Sequence, residues 1–255
     1  MTNVTVFLHP PPPVIGVCGV VSDRAFEAFE QNLDWLEAIG VLVERIDPQE
    51  QPEEAEAASR ERVFLALHPP ALQAVLHELA PRVRKDAVVV SLAPVLTLAR
   101  LSEMLGGFTR LARVLPNAPS IARAGFNPVA FADGLPGDAR AEIEALLDSL
   151  GVHPVVPEDA LEAYAILAAM GPTYFWFQWR TLRDLAASFG LAPAEADRAL
   201  RAMLDGAVRT FFDANLSAEQ VLDLVPVKPL AEAEPQIRQV YLDVLPRLYA
   251  KLKGA

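Results

Sequence analysis

Apolar residues recur at two different spacings along the chain. Up to about Pro157, short apolar runs alternate with helical patterns. The runs VTVFL (4–8), VLVERI (41–46), RVFLAL (62–67), AVVVSL (87–92), LARVLP (111–116), PVAFA (128–132) and HPVVP (153–157) read as strands. Helical spacing covers 22–39, 53–60, 70–81, 97–105 and 137–150. In the first of these, Phe26, Phe29, Leu33 and Leu36 fall on one face. Strand and helix in alternation predict an α/β domain, 1–157, with a mainly parallel sheet covered on both faces. From Glu158 onward no strand pattern remains, and 158–255 reads as all-helical. Leu200, Met203, Leu204, Val208, Phe211 and Phe212 recur at helical spacing, as do Ile237, Val240, Tyr241, Val244, Leu245 and Leu248. Pro246 should kink that last helix.

The stretch AYAILAAMGPTYFWFQW, Ala163 to Trp179, carries no charge. A membrane span needs about 20 apolar residues. Gly171-Pro172 interrupts this one, and Glu162 and Arg180 close it off early. It reads as a buried helix or a subunit interface. The chain has 255 residues, is 52% hydrophobic and has a formal net charge of −11. That balance argues against nucleic acid, whose phosphates need clustered Lys and Arg, and against an anionic membrane surface. Cys18 is the only cysteine. No intrachain disulfide can form, as expected of a cytoplasmic protein. The N-terminus MTNVTVFLHP lacks the pattern of a secretion signal. The acidic stretch DPQEQPEEAEAASRE reads as a solvated loop and helix start.

The segment HPPPPVIGVCG, His9 to Gly19, stands between a predicted strand and a predicted helix. A dinucleotide-binding fold carries glycines there, so that backbone N–H groups can approach a pyrophosphate. Gly16 and Gly19 are present, but prolines have no N–H. Read as one long loop, the segment predicts weak or absent dinucleotide affinity, or a stiff polyproline cap on the sheet. Cys18 reads either as a thiolate near a helix N-terminus or as a small buried hydrophobe. His9 and Cys18 are too few for a zinc site. His68, Ser91 and Asn117 lie at strand ends, where open α/β sheets bind ligands. Asp47 ends the second predicted strand, where a carboxylate can bond a ribose 2′-hydroxyl and disfavour a 2′-phosphate; it also reads as a turn residue before Pro48. His77 and His153 read as structural. No metal-spaced cluster or Ser-His-Asp pattern stands out.

From RVFLALHPPALQAVLHELAPRVRKDAVVVSLAPVLTLARL through ARVLPNAPSIARAGFNPVAF to AAMGPTYFWFQWRTLRDLAASFGLAPAEADRALRAMLDGAVRTFF, the chain resembles pyrroline-5-carboxylate reductase. Leu115-Pro116-Asn117-Ala118-Pro119 stands for that family's Pro-Asn-Thr-Pro signature, and Gly171-Pro172-Thr173-Tyr174 for its Gly-Pro-Ala-Tyr turn. The resemblance covers about 62–215. It implies a Rossmann-like NAD(P)-binding domain followed by an all-helical dimerisation domain interlocked with a second copy. It implies reduction of a small imine or carbonyl compound, with Asn117 and Thr173 as catalytic groups. Gly16, Gly19, Asp47, His68 and Ser91 become its cofactor-binding residues. Two stretches depart from the family. Its Ser-Gly-Ser is Ala168-Ala169-Met170 here, and its Gly- and Thr-rich substrate loop is LVPVKPLAEAEP, Leu224 to Pro235. These departures leave a second reading open: a non-catalytic small-molecule-binding or regulatory protein on the same scaffold.

Residues 1–60 resemble the arsenical-resistance metallochaperone and repressor family, through MTNVTVFLHPPPPVIGVCG and LDWLEAIGVLVERIDPQEQP. That family has a thioredoxin-like fold and holds trivalent arsenic or antimony on a vicinal cysteine pair plus a third cysteine. Cys18 matches the third; the pair falls on Pro12 and Pro13. A soft metalloid needs several thiolates, so one thiol per chain predicts no tight site. The resemblance links the alternative reading to metalloid resistance. The simplest structural reading makes this βαβ unit the first strands of one continuous sheet.

Overall fold

The computed structural model describes residues 2–8, 15–18, 20–21 and 41–46 as strand backbone, and residues 61–65, 76–77 and 79–254 with their side chains. The strands are β1 (Thr2–Leu8), β2 (Ile15–Cys18), β3 (Val20–Val21), β4 (Val41–Ile46), β5 (Arg62–Leu65), β6 (Val88–Ser91), β7 (Leu111–Val114), β8 (Gly125–Phe126), β9 (Val129–Phe131) and β10 (Gly151–Val152). A five-stranded sheet has the order β2-β5-β6-β7-β9. Its β2-β5, β5-β6 and β6-β7 pairs are parallel, and β9 closes it antiparallel to β7. The parallel-dominated sheet and the helices that follow it make a Rossmann-like α/β fold, as the hydrophobic pattern predicts.

Two expectations for the N-terminal part are corrected. The sheet's first strand is β2, not the run at 4–8. Ile15 and Val17 alternate with Gly16 and Cys18 along that strand, and the neighbouring prolines hide this short apolar run in the sequence. Strand β1 instead pairs antiparallel with both β3 and β4, in a separate three-stranded sheet. The two strands of the expected βαβ unit therefore run antiparallel, and they do not extend the main sheet. The expected strand at 153–157 is reduced to an isolated bridge between Val155 and Val129. Pro154 and Pro157 remove the donors a ladder would need. The paired segment lies just before it, where β10 joins β8 in parallel.

Alternation along the strands sorts the core onto the two faces of the sheet. Val88, Val90, Ala112 and Val114 pack with Ala139, Ile143 and Leu147 of helix α2 (Gly137–Asp148). Val63, Leu65, Val89 and Leu111 pack on the other face with Leu76, Leu79 and helix α1 (Leu98–Met104). Thr97 caps α1 by accepting from the Arg100 amide at 3.1 Å. Fully burying side chains such as Leu65, Leu101 and Ile143 contributes about 1.5–3 kcal/mol each.

The chain divides into two compact units, 1–170 with 249–255, and 171–248. The sequence places the domain boundary earlier, at 157/158. Leu161 and Ala165 are buried in the same core cluster as Val63 and Leu111, which explains why the segment after Pro157 clusters with the sheet. The uncharged stretch at 163–179 is not one helix. It comprises the end of α3 (Leu161–Tyr164), a π-turn (Ala165–Ala169) and the start of α4 (Gly171–Ser188), broken at Gly171-Pro172. Helices α5 (Pro193–Asp213), α6 (Ala218–Asp223) and α7 (Glu234–Leu252) follow. Pro246 lies inside α7, and the helix runs through it. Among the described residues no helix is long and apolar enough to cross a membrane.

Candidate active site

Parallel pairing places Cys18 beside Leu65 and Leu65 beside Ser91, so β2, β5 and β6 end in register along one edge. Open parallel sheets bind ligands at this carboxyl edge. Gly16 lies inside β2, opposite Val63. Gly19 and His68 lie outside the described residues; in the chain, Gly19 follows β2 directly and His68 follows β5. The prolines at 10–13 precede β2. They stand before the sheet's first strand, and the segment that follows it is Gly19-Val20-Val21-Ser22. The expected weakness of dinucleotide binding rested on prolines in that following turn, and the position of β2 removes this ground.

Ser91 is fully buried, and its Oγ accepts from the Ala93 amide at 3.3 Å. It shapes the chain as it leaves β6. Asn117 follows β7, and its side-chain amide is engaged at both ends. Oδ1 accepts from the Phe126 amide at 3.0 Å, and Nδ2 donates to the Ala168 carbonyl at 3.2 Å. The Asn117 amide N–H donates to Asn127 Oδ1 at 3.1 Å, which also accepts from Ser120 Oγ at 2.9 Å. The expected catalytic amide is thus bonded into the backbone of its own unit. Thr173 lies in the first turn of α4, in the other unit. Beside it, burial pushes the Tyr174 phenol above its usual range, and the nearby Tyr241 adds to the shift. The two rings meet edge to face, 5.9 Å apart. Asp47 lies outside the described residues, and β4, which it follows, belongs to the three-stranded sheet. Its expected place at a ribose rested on β4 being a strand of the main sheet.

Three groups near this edge escape the motif-based reading. Asn127 and Ser120 are buried beneath Asn117. Arg113 is fully buried; it pairs with Glu158 at 2.8 Å and Glu162 at 2.7 Å. Its face of β7 is set by alternation with Leu111, which points it at the segment carrying both glutamates. An arginine inside the apolar run LARVLP is the signal that could have revealed it, since a buried charge requires partners.

The parallel-dominated sheet and the helices that follow it in the chain define a Rossmann-like α/β protein. No protein-family profile matches the chain. It is homologous, at modest identity, to pyrroline-5-carboxylate reductases. The Pseudomonas aeruginosa enzyme is 29% identical over 155 residues, 60% of this chain and 56% of that protein. The chain spans about half the length of the curated relatives it matches. Among solved structures, Plasmodium falciparum pyrroline carboxylate reductase with NADP bound superposes with a TM-score of 0.70 at 17% identity, covering 79% of each chain. The Streptococcus pyogenes 1-pyrroline-5-carboxylate reductase gives 0.65 at 15% identity, covering 94% of this chain and 89% of that one. These two structures share the fold.

Proposed function

We propose that the protein is an NAD(P)-dependent reductase acting on a small cyclic imine of the pyrroline-5-carboxylate type, or on a related carbonyl compound. The observation that carries this reading is the in-register carboxyl edge of β2, β5 and β6, with Gly19 next after β2. A glycine directly after the first parallel strand lets the backbone approach a pyrophosphate. The homology to pyrroline-5-carboxylate reductases supports the same reading. A nicotinamide would supply the hydride, and the protein supplies binding and orientation. Gly19 and His68 are proposed at the cofactor and Ser91 beneath it; Thr173, in the other unit, is kept as the catalytic candidate that the resemblance implies. Asn117 holds its surroundings in place.

The protein is further proposed to work as a homodimer in the cytoplasm. Support comes from the second unit, where Phe177, Phe189, Phe212 and Val240 are more than half exposed in the single chain. Soluble monomers rarely leave so much apolar surface uncovered, and twofold dimers are the commonest remedy. The activity is tested by mixing purified protein with 1-pyrroline-5-carboxylate and NADH or NADPH and following loss of the reduced nicotinamide. Turnover that vanishes without the imine is expected. A stable signal with both nucleotides would reject the substrate class.

A further inference from the structure

Arg113 carries one positive charge and meets two carboxylates. Glu158 is partly open to water and also accepts from the Leu98 amide. Glu162 has no such outlet: its side chain is 7% exposed, and its Oε1 takes the guanidinium at 2.7 Å. Its other oxygen, Oε2, lies 3.9 Å from Lys253 Nζ. The same ammonium donates to the Asp159 carbonyl and stands 5.9 Å from the centre of the Tyr249 ring. Next to Lys253 in the chain, Leu252 packs against the core cluster that contains Leu161 and Ala165. All of these residues belong to the first unit. We propose that 249–254 is a strap closed by Lys253, whose ammonium balances the carboxylate that shares Arg113 and so fastens the C-terminal turn onto 158–165.

A buried carboxylate is tolerated when its charge is matched. One guanidinium between two carboxylates leaves Glu162 only partly matched, and among the described residues Lys253 is the other cation within ion-pair distance of it. The Lys253 side chain is 32% exposed, so the lock sits at the surface while the charge it balances sits inside. The Lys253 amide donates to the Tyr249 carbonyl at 3.0 Å, which continues the last turn of α7 and places the ammonium and Leu252 on the first unit together. The chain leaves this unit after Met170 and returns to it at Tyr249. The strap therefore ties the returning turn to the segment that precedes the exit. Its opening would hydrate Glu162 and uncover Leu161 in one step, so the two segments should open together.

Hydrogen exchange of the full chain, read by mass spectrometry at one protein concentration, tests this. The variants are Lys253→Met, which keeps the length of the side chain, Lys253→Arg, Glu162→Gln and the Lys253→Met/Glu162→Gln double variant. Lys253→Met is expected to speed exchange about fivefold or more in both 249–254 and 158–165, with β6 and β7 unchanged. Lys253→Arg, which keeps the charge, should retain the wild-type protection. In the Glu162→Gln background Lys253→Met should have less than about half that effect, because the charge to be balanced is gone. Faster exchange confined to 249–254, an equal effect in both backgrounds, or a loss in Lys253→Arg as large as in Lys253→Met would overturn the strap. Should Glu162→Gln yield no folded protein, the comparison of Lys253→Arg with Lys253→Met decides: protection kept by arginine supports the strap, and protection lost in both overturns it.

Discussion

Arg113 shows how much one side chain can be asked to hold. Its guanidinium is buried beneath the sheet and binds two glutamates from the segment after Pro157. Glu158 also accepts from the Leu98 amide at 2.6 Å, so the same carboxylate caps the start of α1. Removing one partner of such a buried pair leaves a charge uncompensated, which typically costs about 3–5 kcal/mol. Arg113→Ala should therefore lower stability by that order in urea unfolding, while an exposed pair such as Arg183 and Asp197 should give less than about 1 kcal/mol on the same measurement. Tyr174 makes a second prediction. Its phenol ionises above the usual value of about 10, chiefly through burial. The neutral form is the one favoured by folding, so its stabilisation is complete below the ordinary tyrosine range and is lost as pH rises through the shifted value. An alkaline absorbance titration of wild type against Tyr174→Phe should show one late phenolate missing from the variant.

At the scale of elements, close approach decides what residue type is allowed. Gly125 and Gly151 face each other across β8 and β10, and Gly151 has φ 128°. A Cβ on Gly125 would overlap Ser120 Oγ and come within 2.7 Å of Asn127 Nδ2 and 2.8 Å of the Leu150 carbonyl. Gly125→Ala should therefore destabilise by about 1–3 kcal/mol, and a thermal melt checks it. The elements differ in how openly the sequence declares them. Strands β5, β6 and β7 are legible because Val63, Val89 and Val90 sit in continuous apolar runs, the mark of strands buried on both faces. Strand β2 is not, because a run of only a few apolar residues beside four prolines looks like loop. Pairing is less legible still. Nothing local in VTVFL or VLVERI says that β1 and β4 pair antiparallel, since direction is set by tertiary contacts. Among the site residues, Ser91 and Asn117 can be found from their strand ends. Their engagement with Ala93, Phe126 and Ala168 depends on loops whose paths the pattern does not encode.

At the scale of the whole molecule, the two units divide the work differently. The first buries a continuous core on both faces of its sheet. The second, 171–248, carries most of its large apolar side chains exposed in the single chain, Phe177 and Phe212 among them. Charge placed on that surface, as in Phe177→Asp, should cause loss of soluble folded protein. A well-folded wild-type monomer in light scattering at micromolar concentration would contradict the proposed dimer. Metalloid chemistry makes the opposite kind of prediction. With Cys18 as the only thiol, arsenite should bind weakly, and tight binding abolished by Cys18→Ser would reveal a site shared between chains. The central claim concerns the carboxyl edge of the main sheet, and calorimetric titration of the full-length protein with NADH and NADPH tests it most directly. Saturable binding of at least one nucleotide is predicted, with a Kd on the order of micromolar, about −8 kcal/mol. It should weaken at least about tenfold in Gly19→Val, because the added side chain would hold a pyrophosphate off the backbone. Absence of saturable binding by either nucleotide up to about millimolar concentration, or unchanged affinity in Gly19→Val, would contradict the account.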